Sequence, residues 1–256
     1  MSVQNRLQDR TVVIAGGGTG IGAGTAKRLA AEGANVVIGD LSAERAETLA
    51  EKIRADGGRA IGRAFDMIDE SSIASLVRAA VDEFGGLDGI HINAFDGVAH
   101  RQDFDVLTVD MAIFDRVMSV NLRGHFLCTR HALPLLLERG GGAIVYTSSA
   151  AAYIGENKRV SYAMSKSGVH ALMRHVATGW GKQNIRANVV CPGMVPTEAN
   201  WDAPASRFEK ALKGHRSPRL GKPEDLAAMV ALLMSEDGEW INGQIINVDG
   251  GVTLRA

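Results

Sequence analysis

Ser161-Tyr162-Ala163-Met164-Ser165-Lys166 opens a helical stretch in which a phenol and an ammonium, four residues apart, share one helix face. A phenol has an ordinary pKa of about 10 and is a poor base at neutral pH. A neighbouring cation favours the phenolate. Bringing the pKa to about 7 takes roughly 4 kcal/mol, most of which one close cation in a partly buried cleft can supply. Such a group can take a proton from an alcohol as a hydride leaves, or give one to a carbonyl as a hydride arrives. Tyr-x-x-x-Lys is also what a plain surface pair on a helix looks like. What singles this one out is Ser149, thirteen residues earlier in Tyr146-Thr147-Ser148-Ser149, just past a short β-run. A hydroxyl there can hydrogen-bond a substrate oxygen.

The second chemistry-bearing stretch is Ala15-Gly16-Gly17-Gly18-Thr19-Gly20-Ile21-Gly22, which joins a β-branched run to a helix. Glycine lets the chain turn sharply and lets a pyrophosphate approach the backbone, while the helix start offers free N–H groups and a positive dipole end. The spacing is Gly-x-x-x-Gly-x-Gly, not the commoner Gly-x-Gly-x-x-Gly, and a glycine cluster alone is also a flexible turn. Asp40 closes the next strand, where a carboxylate can accept both adenosine-ribose hydroxyls. It can equally serve as a capping carboxylate beside Ser42. A 2′-phosphate would meet like charge there, and no Lys or Arg lies within Gly16–Gly24 to offset it, so the residues favour NAD over NADP.

The elements that must position these groups alternate. Strands are expected at Thr11–Ala15, Asn35–Gly39, Ala60–Phe65, Gly89–Ile92, Ala143–Tyr146, Arg186–Val190 and Ile245–Val248. Helical periodicity fills the gaps, including a long segment from about Met111 to Glu138, another from Ser161 to Trp180, and one from Pro223 to Met234 with proline in its first turn. The pattern predicts a doubly wound, mostly parallel sheet of about seven strands with helices on both faces, in one domain spanning 1–256. The longest irregular stretch, 194–222, has the length of a substrate loop.

Bulk properties narrow the classes. The chain of 256 residues has a formal net charge of −1 and 46% hydrophobic residues, so nothing calls for nucleic acid or an anionic membrane. The polar start, Met1 to Arg10, has no signal-peptide core, and no apolar run approaches the roughly 20 residues of a membrane span, which makes a cytoplasmic protein the default expectation. Cys128 and Cys191 match no metal or redox spacing and read as buried small hydrophobes; the seven histidines show no metal-site pattern either.

Taken jointly, the glycine turn, Asp66, Asn121 in Val120-Asn121-Leu122, Ser149, Tyr162, Lys166, Pro192-Gly193-Met194-Val195-Pro196-Thr197 and Val248-Asp249-Gly250-Gly251 fall in an order that resembles the single-domain branch of the short-chain dehydrogenase/reductase family over the whole chain. The resemblance implies Tyr162 as acid/base, Ser149 orienting the substrate, Lys166 on the nicotinamide ribose and depressing the Tyr162 pKa, and Asn121 holding a water in a relay to Lys166. It implies a cofactor site built from Gly16, Gly18, Thr19, Gly20, Ile21, Gly22, Asp40, Leu41, Asp66, Met67, Asn93, Ala94, Tyr162, Lys166, Pro192, Gly193, Val195 and Thr197. Two positions depart from the family pattern. Ala15 replaces a usual Thr, and Ile92-Asn93-Ala94-Phe95 replaces Asn-Asn-Ala-Gly, so that Phe95 either burdens cofactor binding or walls the substrate pocket.

The expected pocket residues, Phe95, Ser149, Ala151, Ile154, Met194 and Trp201, are mostly apolar and suit a cyclic, aliphatic or steroid-like secondary alcohol or its ketone. His100 and Arg101 read as exposed loop charges. A homotetramer is implied, with the helix Leu226–Met234 and the strand Gln244–Val248 available for pairing between subunits. The rival readings are an NAD-binding regulator without turnover and a reductase of 3-oxoacyl thioesters. A sugar-nucleotide epimerase would need a C-terminal domain for which the sequence leaves no room after Asp249.

Overall fold

The computed structural model describes residues 5–198 and 203–254. Trp201, expected in the pocket, lies outside the described residues. Seven strands form one parallel sheet in the order β3-β2-β1-β4-β5-β6-β7. They are β1 (Thr11–Ala15), β2 (Asn35–Asp40), β3 (Arg59–Ala64), β4 (Gly89–Ile92), β5 (Gly142–Thr147), β6 (Ile185–Pro192) and β7 (Ile245–Val248). The helices are α1 (Gly20–Ala31), α2 (Ala43–Ala55), α3 (Glu70–Phe84), α4 (Gly97–Gln102), α5 (Met111–Met118), α6 (Gly124–Glu138), α7 (Val160–Trp180), α8 (Ala205–Gly214) and α9 (Pro223–Met234).

The sheet is apolar on both sides because helices cover both. Within β1, Val13 and Ala15 pack with α3, α6 and α7, whereas Val12 and Ile14 face α1, α2 and α9. That alternation along a strand with no polar face is what a buried parallel strand requires. The strand order reverses between β1 and β4, where Ala15 pairs with Ile92, and the crevice at such a switch point is where doubly wound sheets hold ligands.

Several expectations need correction. The long helix from Met111 to Glu138 is continuous in direction but is interrupted by a π turn at Ser119–Arg123, which contains Asn121. The 194–222 stretch is not wholly irregular, since α8 lies within it. The short helix α4, capped by Asp96 through Val98 N–H and Ala99 N–H, was not foreseen. In α9, Leu226, Val230 and Leu233 are buried against the chain's own core, whereas Met229 and Leu232 are only partly buried. No helix among the described residues is long and apolar enough to cross a membrane.

Candidate active site

A cleft of about 1380 Å³ runs along the carboxyl ends of the strands, from Asp40 and Asp66 at one end to α4 and α8 at the other. At its first end the glycine turn is a cradle that side chains would fill. A Cβ on Gly16 would lie 2.7 Å from Ala94, and one on Gly22 would lie 2.0 Å from the Gly16 carbonyl oxygen. Thr19, the N-cap of α1, makes no side-chain cap hydrogen bond, and no acidic residue sits in the first turn. Instead the Gly20 N–H is met by the Glu198 carboxylate at 3.1 Å. A carboxylate drawn to this helix start shows that the turn accepts anionic oxygens, which is what a pyrophosphate presents. The residues present therefore fit a dinucleotide.

Asp40 is buried at the end of β2 and heavily engaged. Oδ2 accepts from Gly18 N–H at 3.1 Å, and Oδ1 accepts from Ser42 N–H at 3.0 Å and from Arg45 at 3.1 and 2.9 Å. Arg45 is a counter-charge that the glycine turn does not announce, because it comes from the first turn of α2. Leu41, Asp66 and Met67 also line this end. Asp66 closes its own turn through the Ile68 N–H, and the Met67 sulfur packs in the core 3.8 Å from Cys128 Sγ. Asn93 ties two strand ends together, donating to the Gly16 carbonyl at 2.9 Å and accepting from Thr147 Oγ1 at 3.0 Å.

In the middle of the cleft, Ser149 just past β5 and Tyr162 on the first turn of α7 both line the wall, and the Ser149 hydroxyl favours the phenolate. That helix start is held by a residue the sequence reading did not single out. Asp103 accepts from Tyr162 N–H at 2.7 Å, Ser161 N–H at 3.3 Å and Ser161 Oγ at 2.9 Å. It takes the place of a local cap, because the N-cap position is Arg159 in the left-handed region (φ 64°) with no side-chain cap bond of its own. Lys166, almost fully buried one turn along, donates to the Thr147 carbonyl at 2.9 Å, and its Nζ is 5.8 Å from the centre of the Tyr162 ring.

The expected depression of the Tyr162 pKa by Lys166 is not found within the chain. Burial raises the phenol above its ordinary value, against the opposing pull of the Ser149 hydrogen bond and the Arg159 charge. Burial also lowers Lys166 to about 8. Loss of hydration dominates the phenol, and the ammonium's one hydrogen bond among the described residues goes to the Thr147 carbonyl.

Asn121, Gly18 and Gly22 do not line the cleft. Asn121 is fully buried behind it; Oδ1 accepts from Asp96 N–H at 3.2 Å, and Nδ2 has no partner among the described residues. The remaining expected residues, Thr19, Ile21, Ala94, Phe95, Ala151, Ile154, Pro192, Gly193, Met194, Val195 and Thr197, all line it. His100 is no exposed loop charge. It belongs to α4, its ring lies 4.4 Å from the Tyr162 ring, and its Nε2 faces Arg159 Nη1 at 3.3 Å. Burial, then Arg159 and Arg207, bring its pKa down to about 4, so the imidazole is neutral. Phe95 completes this wall edge-on to both His100 and Tyr162, at 6.0 and 6.5 Å.

Known proteins share this sequence pattern and fold. The family described as enoyl-(acyl carrier protein) reductase matches residues 15–253. The 7alpha-hydroxysteroid dehydrogenase of Bacteroides fragilis is 35% identical over 98% of this chain and 97% of its own. The cis-4-hydroxycyclohexanecarboxylate dehydrogenase of Sinomonas cyclohexanicum is 39% identical over 96% and 97%. A solved 7 alpha-hydroxysteroid dehydrogenase, complexed with NADH and 7-oxo glycochenodeoxycholic acid, superposes with a TM-score of 0.91 at 31% identity, covering 98% of this chain and 97% of that one. By the extent of these matches and by its fold, the chain belongs to the short-chain dehydrogenase/reductase family of oxidoreductases.

Proposed function

We propose that the protein interconverts a secondary alcohol and a ketone with NAD as the preferred coenzyme, and that the alcohol sits on an alicyclic ring. The observation that carries this reading is the placing of Ser149 and Tyr162 together in the wall of a cleft whose glycine turn accepts anions, with the Ser149 hydroxyl favouring the phenolate. When bound, the coenzyme accepts or supplies the hydride; the chain handles the proton and the geometry.

In the reducing direction Tyr162 donates its phenolic proton to the carbonyl oxygen, which Ser149 holds. A phenol whose pKa is raised by burial is fully protonated at neutral pH and is suited to that step. The phenolate left behind is stabilised by the Ser149 hydroxyl and the Arg159 charge. In the oxidising direction the same oxygen takes the proton, and the rate rises with pH. Asn121, whose buried Nδ2 has no partner among the described residues, is suited to hold a water that returns the proton toward Lys166.

Asp40 supports NAD because a 2′-phosphate would lie against its carboxylate. The alicyclic ring is supported by the apolar wall of Phe95, Ala151, Ile154 and Met194 and by the ring alcohols in the names of the two dehydrogenase relatives. A homotetramer is supported by the half-buried edge strand β7 and by the exposed Met111, Phe126 and Met164 on neighbouring helices.

The test is Tyr162→Phe. An enzyme loses nearly all turnover of secondary alcohols, by a factor of about 10³ or more, while NADH binding followed by fluorescence persists. Turnover retained within about tenfold removes Tyr162 from the chemistry. No turnover by the unaltered protein across a broad set of alcohols and ketones favours the regulator reading.

A further inference from the structure

The two halves of the cleft differ in charge. The chain as a whole carries −1, and the coenzyme end has Asp40 and Asp66 against Arg45. The substrate end is cationic. Arg101, Arg116, Arg159, Arg207 and Lys210 line it, and the two carboxylates that line it among the described residues are already in ion pairs, Asp96 with Arg116 at 2.7 Å and Glu156 with Arg159. Among the described residues no carboxylate forms an ion pair with Arg207 or Lys210.

The amphipathic helix α8 shows that this charge is directed. Arg207, Lys210, Ala211 and Gly214, spaced as one helix face, line the cleft, whereas its apolar Phe208 and Leu212 do not. A helix that only covered an apolar ligand would turn those two inward. Arg159 is fixed as well as charged. Its backbone is held in the left-handed region at the start of α7, and its guanidinium is bound by Glu156 on one side and by His100 Nε2 at 3.3 Å on the other. The same His100 ring touches Tyr162, so the guanidinium stands one imidazole away from the proton donor.

We propose that the substrate carries a carboxylate, seated against Arg159 and the Arg207–Lys210 face of α8 while its carbinol or carbonyl carbon lies at Tyr162. This rests on the oxidoreductase reading and adds a substrate class to it. Both anchoring cations on α8 are exposed, so the attraction falls with salt.

The test compares a hydroxycycloalkane carboxylate with its methyl ester, by initial rates at low and high ionic strength. The acid is expected to have kcat/KM about tenfold or more above the ester, with the gap closing in salt, and Arg207→Ala/Lys210→Ala is expected to narrow the ratio at least about fivefold. Equal kcat/KM for acid and ester, or a ratio untouched by the double substitution, overturns the proposal and leaves the oxidoreductase reading standing. No turnover of either compound or of any other alcohol overturns both. A parallel arm compares a 3-oxoacyl coenzyme A with its N-acetylcysteamine thioester. A preference there, with acid and ester alike, assigns the cationic face to phosphate and overturns the carboxylate.

Discussion

Asp40→Ser isolates the coenzyme choice. In the unaltered protein a 2′-phosphate would sit within about 4–5 Å of the Asp40 carboxylate, and two unit charges at that range repel by roughly 3–4 kcal/mol at an effective dielectric constant of about 20. Arg45, bound to Asp40 Oδ1 at 2.9 Å, offsets part of this. Its side chain is 55% exposed against 11% for Asp40, so its share is screened. A net penalty of about 2–3 kcal/mol against NADP remains, a factor of roughly 30 to 150. Serine removes the repulsion, frees Arg45 to pair with the phosphate, and costs NAD its ribose hydrogen bonds. The NADP:NAD ratio of kcat/KM should therefore rise by about a hundredfold or more. Nicotinamide absorbance with both coenzymes measures it, and Arg45→Ala in the same background should return most of the NADP gain. A native preference for NADP, or a ratio that moves by less than about threefold in Asp40→Ser, refutes the electrostatic account.

Two other substitutions separate stability from catalysis. Lys166→Met should abolish turnover yet raise Tm by a few degrees at neutral pH. Burial holds Lys166 at about 8 against an ordinary 10.5, a cost of about 3 kcal/mol, from which the lost bond to Thr147 subtracts roughly 1–2. The unfolded chain binds this proton more tightly, so the cost is complete below about pH 8 and is relieved as pH rises toward 10.5. The advantage of the variant in thermal melts should shrink over that window, and a variant melting below its parent at pH 7 defeats this assignment. Asp103→Asn should lower stability by about 1–3 kcal/mol and reduce kcat more than it raises KM, because the start of α7 is left with a weaker acceptor; unchanged kcat with unchanged Tm would show that the cap is dispensable.

Much of the fold was legible because a buried parallel sheet writes itself as short β-branched runs, such as Thr11–Ala15, separated by amphipathic helices. What escaped is what depends on contacts distant in sequence. Asp103 caps a helix 59 residues away from it, and nothing in its neighbourhood announces that role. The helix α8 is short and exposed, and its period-3.6 face is cationic where the usual search looks for an apolar stripe. The proximity of Tyr162 and Lys166 followed from their spacing, but the direction of the ammonium did not, since it is set by the carbonyl of Thr147 on another element.

The same distinction explains why His100 was misread. A histidine and an arginine after a strand look solvated when only the local sequence is considered. Asp96 starts a six-residue helix there, with one carboxylate oxygen on the N–H groups of Val98 and Ala99 and the other on Arg116, and Asn121 from the π turn accepts the Asp96 N–H. Those bonds swing α4 over the cleft and bring the imidazole against the phenol. Asn121 thus acts on the site from behind by fixing the loop that carries Phe95 and His100, in addition to any part its amide takes in moving a proton. The grouping of Ser149, Tyr162 and Lys166 could be expected from residue types and spacing; the wall beside them is assembled by this buried network, and only the three-dimensional arrangement reveals its charge.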